Sequence, residues 1–168
     1  AISIQIANVI RQFVVLKTIT WYGNTHDLII YSAIFRLFSF VSVPILGILQ
    51  PLQPVLGVNY GANAFERCKS AIHTFKYTAV IAAIFLLLLM FTFSEFFIGL
   101  IIPDEQINMI DLRFMRIALL SLPFFPLASS AIIFYQATGN GKKASLLPIL
   151  KQVILFLPLL ILLPYFLG

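Results

Sequence analysis

The polar side chains that could act on a solute stand inside long apolar stretches of the sequence. Gln5, Asn8 and Gln12 recur at helical spacing near the start of the chain and fall within about 60° of one another on a helix. Amide and guanidinium groups in such a stretch are expected to face protein or water and not lipid. The same reasoning predicts a water-filled cavity lined by six side chains: Arg11, Gln12, Arg36, Gln50, Gln53 and Tyr135.

An alternative is that these groups only hold a bundle together through inter-helical hydrogen bonds, at about 0.6 kcal/mol per contact. Arg11 and Arg36 are the most informative of these residues, because an arginine in the middle of a span costs at least about 2.5–3.5 kcal/mol to insert. Either they face a cavity or they pair with a carboxylate from another part of a longer protein. The acidic residues fall in joints or near helix ends, so a coupling carboxylate is not expected within these spans.

No nucleophile, base and acid stand at a spacing that predicts catalysis. His26 and His73 lie in joints, and the single Cys68 cannot form an internal disulfide. No Cys–His pair has the spacing of metal ligands. We therefore predict neither an enzyme nor a resident cofactor or metal.

The composition is that of a membrane protein. Hydrophobic residues make up 61% of the chain and charged residues 10%, against roughly 45–50% and about 25% in soluble domains. Too few polar side chains are present to coat a water-facing surface, which excludes an ordinary soluble enzyme, a disordered chain and a nucleic-acid-binding domain. The expected partner is the lipid bilayer, with no nucleic acid.

Apolar segments of near membrane-spanning length recur along the sequence. We predict an all-α polytopic transmembrane helix bundle, and a piece of a longer membrane protein, because the chain opens and closes inside apolar runs. The five predicted spans are approximately 1–22, 28–56, 77–101, 113–137 and 143–166.

The joints differ in charge, and this difference predicts an orientation. The joint 57–76 contains Arg67, Lys69 and Lys76, and the joint 138–143 ends in two lysines. The positive-inside rule places both basic joints in the cytoplasm of a multi-pass protein of the cell membrane.

Eight of the nine prolines lie within the spans, and only Pro103 lies in a joint. Each removes a backbone donor and frees a carbonyl, a pattern that transporters with bending or discontinuous helices use. The alternative is that proline is simply common in membrane helices. The interrupting prolines are Pro44, Pro51 and Pro54 in the second span, Pro123 and Pro126 in the fourth, and Pro148, Pro158 and Pro164 in the fifth.

The second span carries a recognisable motif. Its stretch "RLFSFVSVPILGILQPLQPVLGVNYGAN" resembles the signature of the multidrug and toxic compound extrusion (MATE) family. The likeness continues at Ile10–Gln12 and through "LPFF" and "YQATGNGKK" towards the end of the chain. The matching signature positions are Gly47, Gln50, Gln53, Pro54, Gly57, Asn59, Tyr60, Gly61 and Ala62.

The resemblance implies a fold of two six-helix lobes arranged as an inverted V, of which this chain would be helices seven to eleven. Its partners would be the N-terminal lobe and last helix of the same protein, together with small organic substrates. The activity implied is cation-coupled antiport, by alternating access, that exports drugs and other amphiphilic or cationic compounds. The coupling ion, H⁺ or Na⁺, would bind outside this segment, since acids that sodium-coupled members carry here are missing.

The glycines of the motif also have a physical interpretation. Gly57 and Gly61 flank Asn59 where the span must turn, and both residue types tolerate a positive φ. We therefore predict a structural or gating role for Gly47, Pro54, Gly57, Asn59 and Gly61. Two other functions stay open, namely a flippase for a lipid or lipid-linked oligosaccharide and a non-transporting membrane scaffold.

Overall fold

The computed structural model describes residues 2–103 and 107–150, and every regular element among them is helical. The chain divides into two compact units, one drawn from Ala1–Tyr31 and Asn140–Gly168 and the other formed by Ser32–Gly139. The helices are α1 (Ile2–Tyr22), α2 (Thr25–Leu49), α3 (Leu52–Gly61), α4 (Phe65–Thr92), α5 (Ser94–Ile101), α6 (Met109–Leu119), α7 (Phe125–Ala137) and α8 (Gly141–Leu150), with a 3-10 turn at Leu122–Phe124.

Three stretches of the described residues are long and apolar enough to cross a membrane: Thr25–Gly61, Phe65–Thr92 and Met109–Ala137. The prediction of an all-α membrane helix bundle is thereby confirmed. Helix α1 is not among the three, and that it crosses the membrane stays a prediction. The predicted span 143–166 is described only as far as Leu150, in α8, and the remainder lies outside the described residues.

In the first unit, α1 and α8 pack together, and a tight turn leads from α1 into α2. Gly23 lies at this turn, where an added Cβ would stand 2.9 Å from both a carboxylate oxygen of Asp27 and the carbonyl oxygen of Ile19. The same carboxylate accepts a 2.8 Å hydrogen bond from the backbone N–H of Asn24. Position 23 therefore requires glycine, because any side chain would come too close to these oxygen atoms. The hydrogen bond of Asp27 stabilises the start of α2.

The second unit is organised around one apolar stripe that runs along α2 from Leu37 onwards and through α3. Its side chains recur every three or four residues, so they share one helical face, and they are almost completely buried. Helix α3 packs against α4 and α7. Ala79 and Ala83 of α4 are fully buried, and their small size lets neighbouring backbones approach closely. The stripe consists of Leu37, Val41, Ile45, Leu49, Leu52 and Leu56.

Two of the three long stretches are broken where prolines stand three residues apart. The first breaks at Gln50–Pro51, between α2 and α3, with a second proline at position 54. The other breaks after α6, where a 3-10 turn containing Pro123 leads into α7. Each missing N–H leaves a carbonyl of the preceding turn without its helical partner, which explains why the regular α-helix is interrupted there.

Helix α4 is continuous and begins earlier than its predicted span. The basic segment treated as a joint in the sequence is mostly helical, since α3 runs to Gly61 and α4 begins at Phe65. Only the turn 62–64 separates the two helices. Periodicity of apolar residues cannot detect this first part of α4, because its exposed face is charged and polar.

Candidate functional site

Most of the motif residues lie on one surface of α2 and α3, opposite the buried apolar stripe. We call this surface the open face. Its members recur at helical spacing, as the buried stripe does, but each is exposed within the second unit. The open face consists of Arg36, Phe40, Val43, Gly47, Gln50, Pro54, Gly57 and Gly61.

The glycines of the open face have free space in front of them. An added Cβ at Gly47, Gly57 or Gly61 would meet no atom within 4 Å. Packing inside this unit therefore does not require glycine at any of the three positions. A surface kept flat by small residues beside an exposed guanidinium and an exposed amide can receive another helix or a solute.

Gln53 is also exposed, on the flank of the open face next to Gln50. At 100° per residue it is turned by roughly 60° from Gln50, towards one edge of the face. The two glutamines that the sequence grouped together thus lie on one side of the helix pair. Together with Arg36 they supply the amide and guanidinium donors of this surface.

The prediction that the motif glycines supply a positive φ at the turn after α3 is wrong. Gly57 and Gly61 lie within α3, and the non-glycine residue with a positive φ is Asn63, at 57°. The N–H of Ala64 donates to the carbonyl of Asn59 at 2.9 Å, and the N–H of Asn63 donates to that of Tyr60 at 3.1 Å. This is a Schellman ending with asparagine in the left-handed position.

Asn59 itself bonds within its helix. Its side-chain Nδ2 donates to the carbonyl oxygen of Val55 at 2.8 Å, and the residue is half-buried. The side chain therefore occupies a backbone acceptor near the end of α3 and does not make the turn. A gating role for Asn59 stays a prediction.

The first unit contains the other predicted cavity pair. Gln12 is exposed, whereas Arg11 is half-buried. The positive charge of Arg11 acts on the phenol of Tyr31, at the start of the second helix. Tyr31 cannot be found from the sequence pattern, because helical spacing within α1 carries no information about a partner on the next helix.

Tyr135 lies away from the open face, in a groove between α4 and α7. This part of the groove has a volume of about 400 Å³. The ring of Tyr135 meets that of Phe134 edge-on, with 5.5 Å between the centroids. The residues that line it are Ile72, Lys76, Leu127, Ser130, Ala131, Phe134 and Tyr135.

The same groove continues towards the turn after α3. Here its volume is about 420 Å³. Ile72, Lys76 and Phe134 belong to both parts, so the two are continuous. This second part is lined by Tyr60, Phe65, Cys68, Lys69, Ile72, His73, Lys76 and Phe134.

Carboxylates, histidines and thiols do not gather into a metal site anywhere in residues 2–103 and 107–150. Cys68 is buried, and its Sγ lies 3.9 Å from the carbonyl oxygen of Leu56, so it joins α4 to α3. Apart from apolar side chains, the open face and the groove present amides, guanidinium groups and ammonium groups. Such groups are able to bind a solute through hydrogen bonds and charge.

Comparison with known proteins agrees with this picture. The chain is 25% identical over 134 residues to the multidrug export protein MepA of Staphylococcus aureus strain MSSA476, a match that covers 80% of this chain and 29% of that protein. A protein of the same name from Staphylococcus saprophyticus matches to the same extent.

The chain thus spans less than a third of the length of these relatives. No solved structure gives a significant match. The family model MatE matches residues 1–162, which is nearly the whole sequence. With its apolar, proline-broken helices and their open polar face, the chain belongs to the MatE family.

Proposed function

We propose that the protein containing this chain is a secondary active transporter of the cell membrane that exports drugs and other amphiphilic or cationic organic compounds. Membership of the MatE family and the similarity to two multidrug export proteins support this proposal. The transport is an antiport driven by H⁺ or Na⁺, and it proceeds by alternating access. This chain supplies part of the C-terminal lobe, and the remaining lobe supplies the opposite wall of the pathway.

The observation that carries the proposal is the open face of α2 and α3. A helix that only packed in a bundle or faced lipid would not present Arg36 and Gln50 on an exposed side, since an arginine in hydrocarbon costs at least about 2.5–3.5 kcal/mol. These groups therefore face water or the other lobe. A pathway between two lobes provides both environments in turn.

The broken helices support alternating access. Helix ends inside the membrane are tolerated where they border a cavity or neighbouring protein, and the break at Gln50–Pro51 lies on the open face itself. Bending at this point changes the path of α3 without unfolding the stripe beneath it. The residues assigned to the substrate cavity then contact the substrate at different stages of transport. Arg36, Gln50 and Gln53 lie on the open face and Tyr135 lies in the groove, while Arg11 and Gln12 belong to the first unit.

The orientation and the coupling ion follow from the charges. Lys69 and Lys76 stand in the first turns of α4, and Lys142 and Lys143 stand at the start of α8. We place both ends in the cytoplasm. The coupling ion binds in the other lobe, where a carboxylate would be needed within a span.

The test is retention of ethidium by cells that express the full-length protein. Gly47→Trp fills the open face without a clash inside this unit, because a Cβ there meets no atom within 4 Å. We expect normal expression and a loss of export. Ile81→Trp is the matched control, because Ile81 is 66% exposed on α4 away from the open face.

Export that persists with Gly47→Trp would contradict a pathway along the open face, and unchanged retention of a broad dye panel by the unmodified protein would contradict drug export. Inverted membrane vesicles separate the coupling ions. Collapse of the pH gradient abolishes uptake in a proton antiporter, and removal of Na⁺ abolishes it in a sodium antiporter.

A further inference from the structure

The groove between α3, α4 and α7 carries basic side chains that the transport proposal does not use. At its end near the turn after α3, which we call the mouth, lie Lys69, His73 and Lys76, all from α4. They are spaced four and three residues apart, so they follow one face of the helix. The part of the groove farther along α7 is lined mainly by apolar groups.

The mouth is positively charged, and its basic side chains all come from α4. Neither α3 nor α7, the two helices packed against this part of α4, contains a charged residue. The carboxylate in the first turn of α4 belongs to Glu66, which is exposed and does not line the groove. A cationic solute is therefore repelled here, and an anionic group is attracted.

Aromatic rings fix the positions of the basic groups. The Nζ of Lys76 lies 5.0 Å from the ring centroid of Tyr77, and the ring of His73 lies 4.2 Å from the same ring. The rings of Tyr60 and Phe65 meet edge-on across the turn, with 5.6 Å between centroids. Tyrosine and basic side chains in this combination are typical of the level of the lipid headgroups.

The groove continues from this level into the apolar part of the bundle. Beyond Lys76, helix α4 carries no charged residue from Tyr77 to Thr92. Ile72 and Phe134 line both parts of the groove, and Leu127 and Ala131 extend it along α7. The groove thus joins a cationic mouth to an apolar channel that runs along the surface of the bundle.

We propose that this groove binds an anionic phospholipid, with the phosphate at Lys69 and Lys76 and one acyl chain along Ile72, Leu127 and Ala131. The charge of the mouth selects the anionic head, and the apolar continuation selects a lipid over a free phosphate. The site is separate from the open face, and it does not depend on which compound is exported.

The test compares two double variants of the full-length protein in nanodiscs made from phosphatidylcholine with or without phosphatidylglycerol. Lys69→Gln/Lys76→Gln removes the charges of the mouth. Lys142→Gln/Lys143→Gln removes the same charge from the first turn of α8, which does not line the groove. Bound phosphatidylglycerol is counted by native mass spectrometry after release from the nanodisc.

We expect the Lys69/Lys76 variant to lose affinity for phosphatidylglycerol by about tenfold or more, since each basic group near an anionic surface contributes substantially to binding. The Lys142/Lys143 variant retains its affinity. Equal losses in the two variants would mean that overall charge attracts the lipid, and unchanged binding in both would exclude the site. Either result overturns the proposal.

Two further arms locate the acyl chain and cover the case of a poorly folded double variant. Ala131→Phe narrows the apolar channel and leaves every charge in place, so we expect it also to weaken lipid binding. Glycerol 3-phosphate tests the head alone and should not compete at millimolar concentration. Full competition by glycerol 3-phosphate, or normal lipid binding by Ala131→Phe, would overturn the lipid assignment.

Discussion

Two neighbouring stretches of this chain are equally apolar yet fold differently. Thr25–Gly61 is divided into α2 and α3 and exposes glycines, an arginine and a glutamine along one side. Phe65–Thr92 forms the single helix α4, which contains neither glycine nor proline. Hydropathy alone does not distinguish the two, because both would partition into a membrane.

The two stretches differ in how their backbone hydrogen bonds are satisfied. Helix α4 satisfies its own hydrogen bonds and packs through Ala79 and Ala83, so it suits a fixed support. The α2–α3 stretch lacks three backbone donors, at Pro44, Pro51 and Pro54, and keeps its fold through the apolar stripe beneath. A helix pair that moves as one wall of a transport pathway needs both a firmly packed side and a backbone that can bend.

The largest effect is expected when α4 is made to resemble α2–α3. Ala82→Pro removes an interior hydrogen bond and clashes with the carbonyl of the preceding turn, at a cost of about 3 kcal/mol or more. We expect little folded full-length protein, measured by size-exclusion chromatography in detergent. Ala82→Ser is the control, and Pro51→Ala, in the broken stretch, should leave the yield of folded protein unchanged. Folded protein from Ala82→Pro in normal yield would show that α4 is not a rigid support.

The next effect separates the two sides of the α2–α3 pair. Leu56 is fully buried and Leu46 is 44% exposed. We expect Leu56→Ala to destabilise the folded protein by about 2 kcal/mol, near the low end for such truncations, because lipid is as apolar as the core and mainly the cavity remains. Leu46→Ala should change stability little. Reversible unfolding in mixed micelles measures both, and equal losses would contradict the assignment of packed and open sides.

A smaller effect is expected where α5 meets α6. The Nη2 of Arg116 donates a 2.9 Å hydrogen bond to the hydroxyl of Ser94, which is almost fully buried. Ser94→Ala removes this acceptor from a guanidinium whose Nε is also buried, and we expect a loss of about 1.5 kcal/mol. Ser121→Ala is the control, since its exposed hydroxyl bonds to the nearby backbone carbonyl of Ala118. The same unfolding measurement applies, and identical stabilities would assign Arg116 to solvent.

The smallest effect concerns the turn that joins the two stretches. Asn63 has a φ of 57°, which a β-branched residue adopts only with strain. We expect Asn63→Val to lower the midpoint of thermal unfolding, at a cost of about 1 kcal/mol. Asn63→Gly should match or exceed the original midpoint, because glycine adopts this conformation freely. The reverse order of the two midpoints would contradict the Schellman ending of α3.

Much of the architecture could be predicted from the sequence, because it depends on local chemistry. An apolar run of sufficient length forms a helix in a bilayer whatever lies beside it, since its backbone must satisfy its own hydrogen bonds. Prolines three residues apart break that helix wherever they occur, as at Pro51 and Pro54. The motif around Gly47 and Gln50, together with the likeness at Ile10–Gln12 and towards the end of the chain, indicated the family.

Which side of each helix is packed was decided only by the tertiary structure. Helical spacing grouped Arg36 with Gln50, but it could not show that the opposite stripe is buried, nor that Tyr135 belongs to a groove shared with Lys76. It also assigned the turn to Gly57 and Gly61, whereas the left-handed residue is Asn63. Side-chain partners on other helices depend on how whole helices pack, and the period of a single helix carries no record of that.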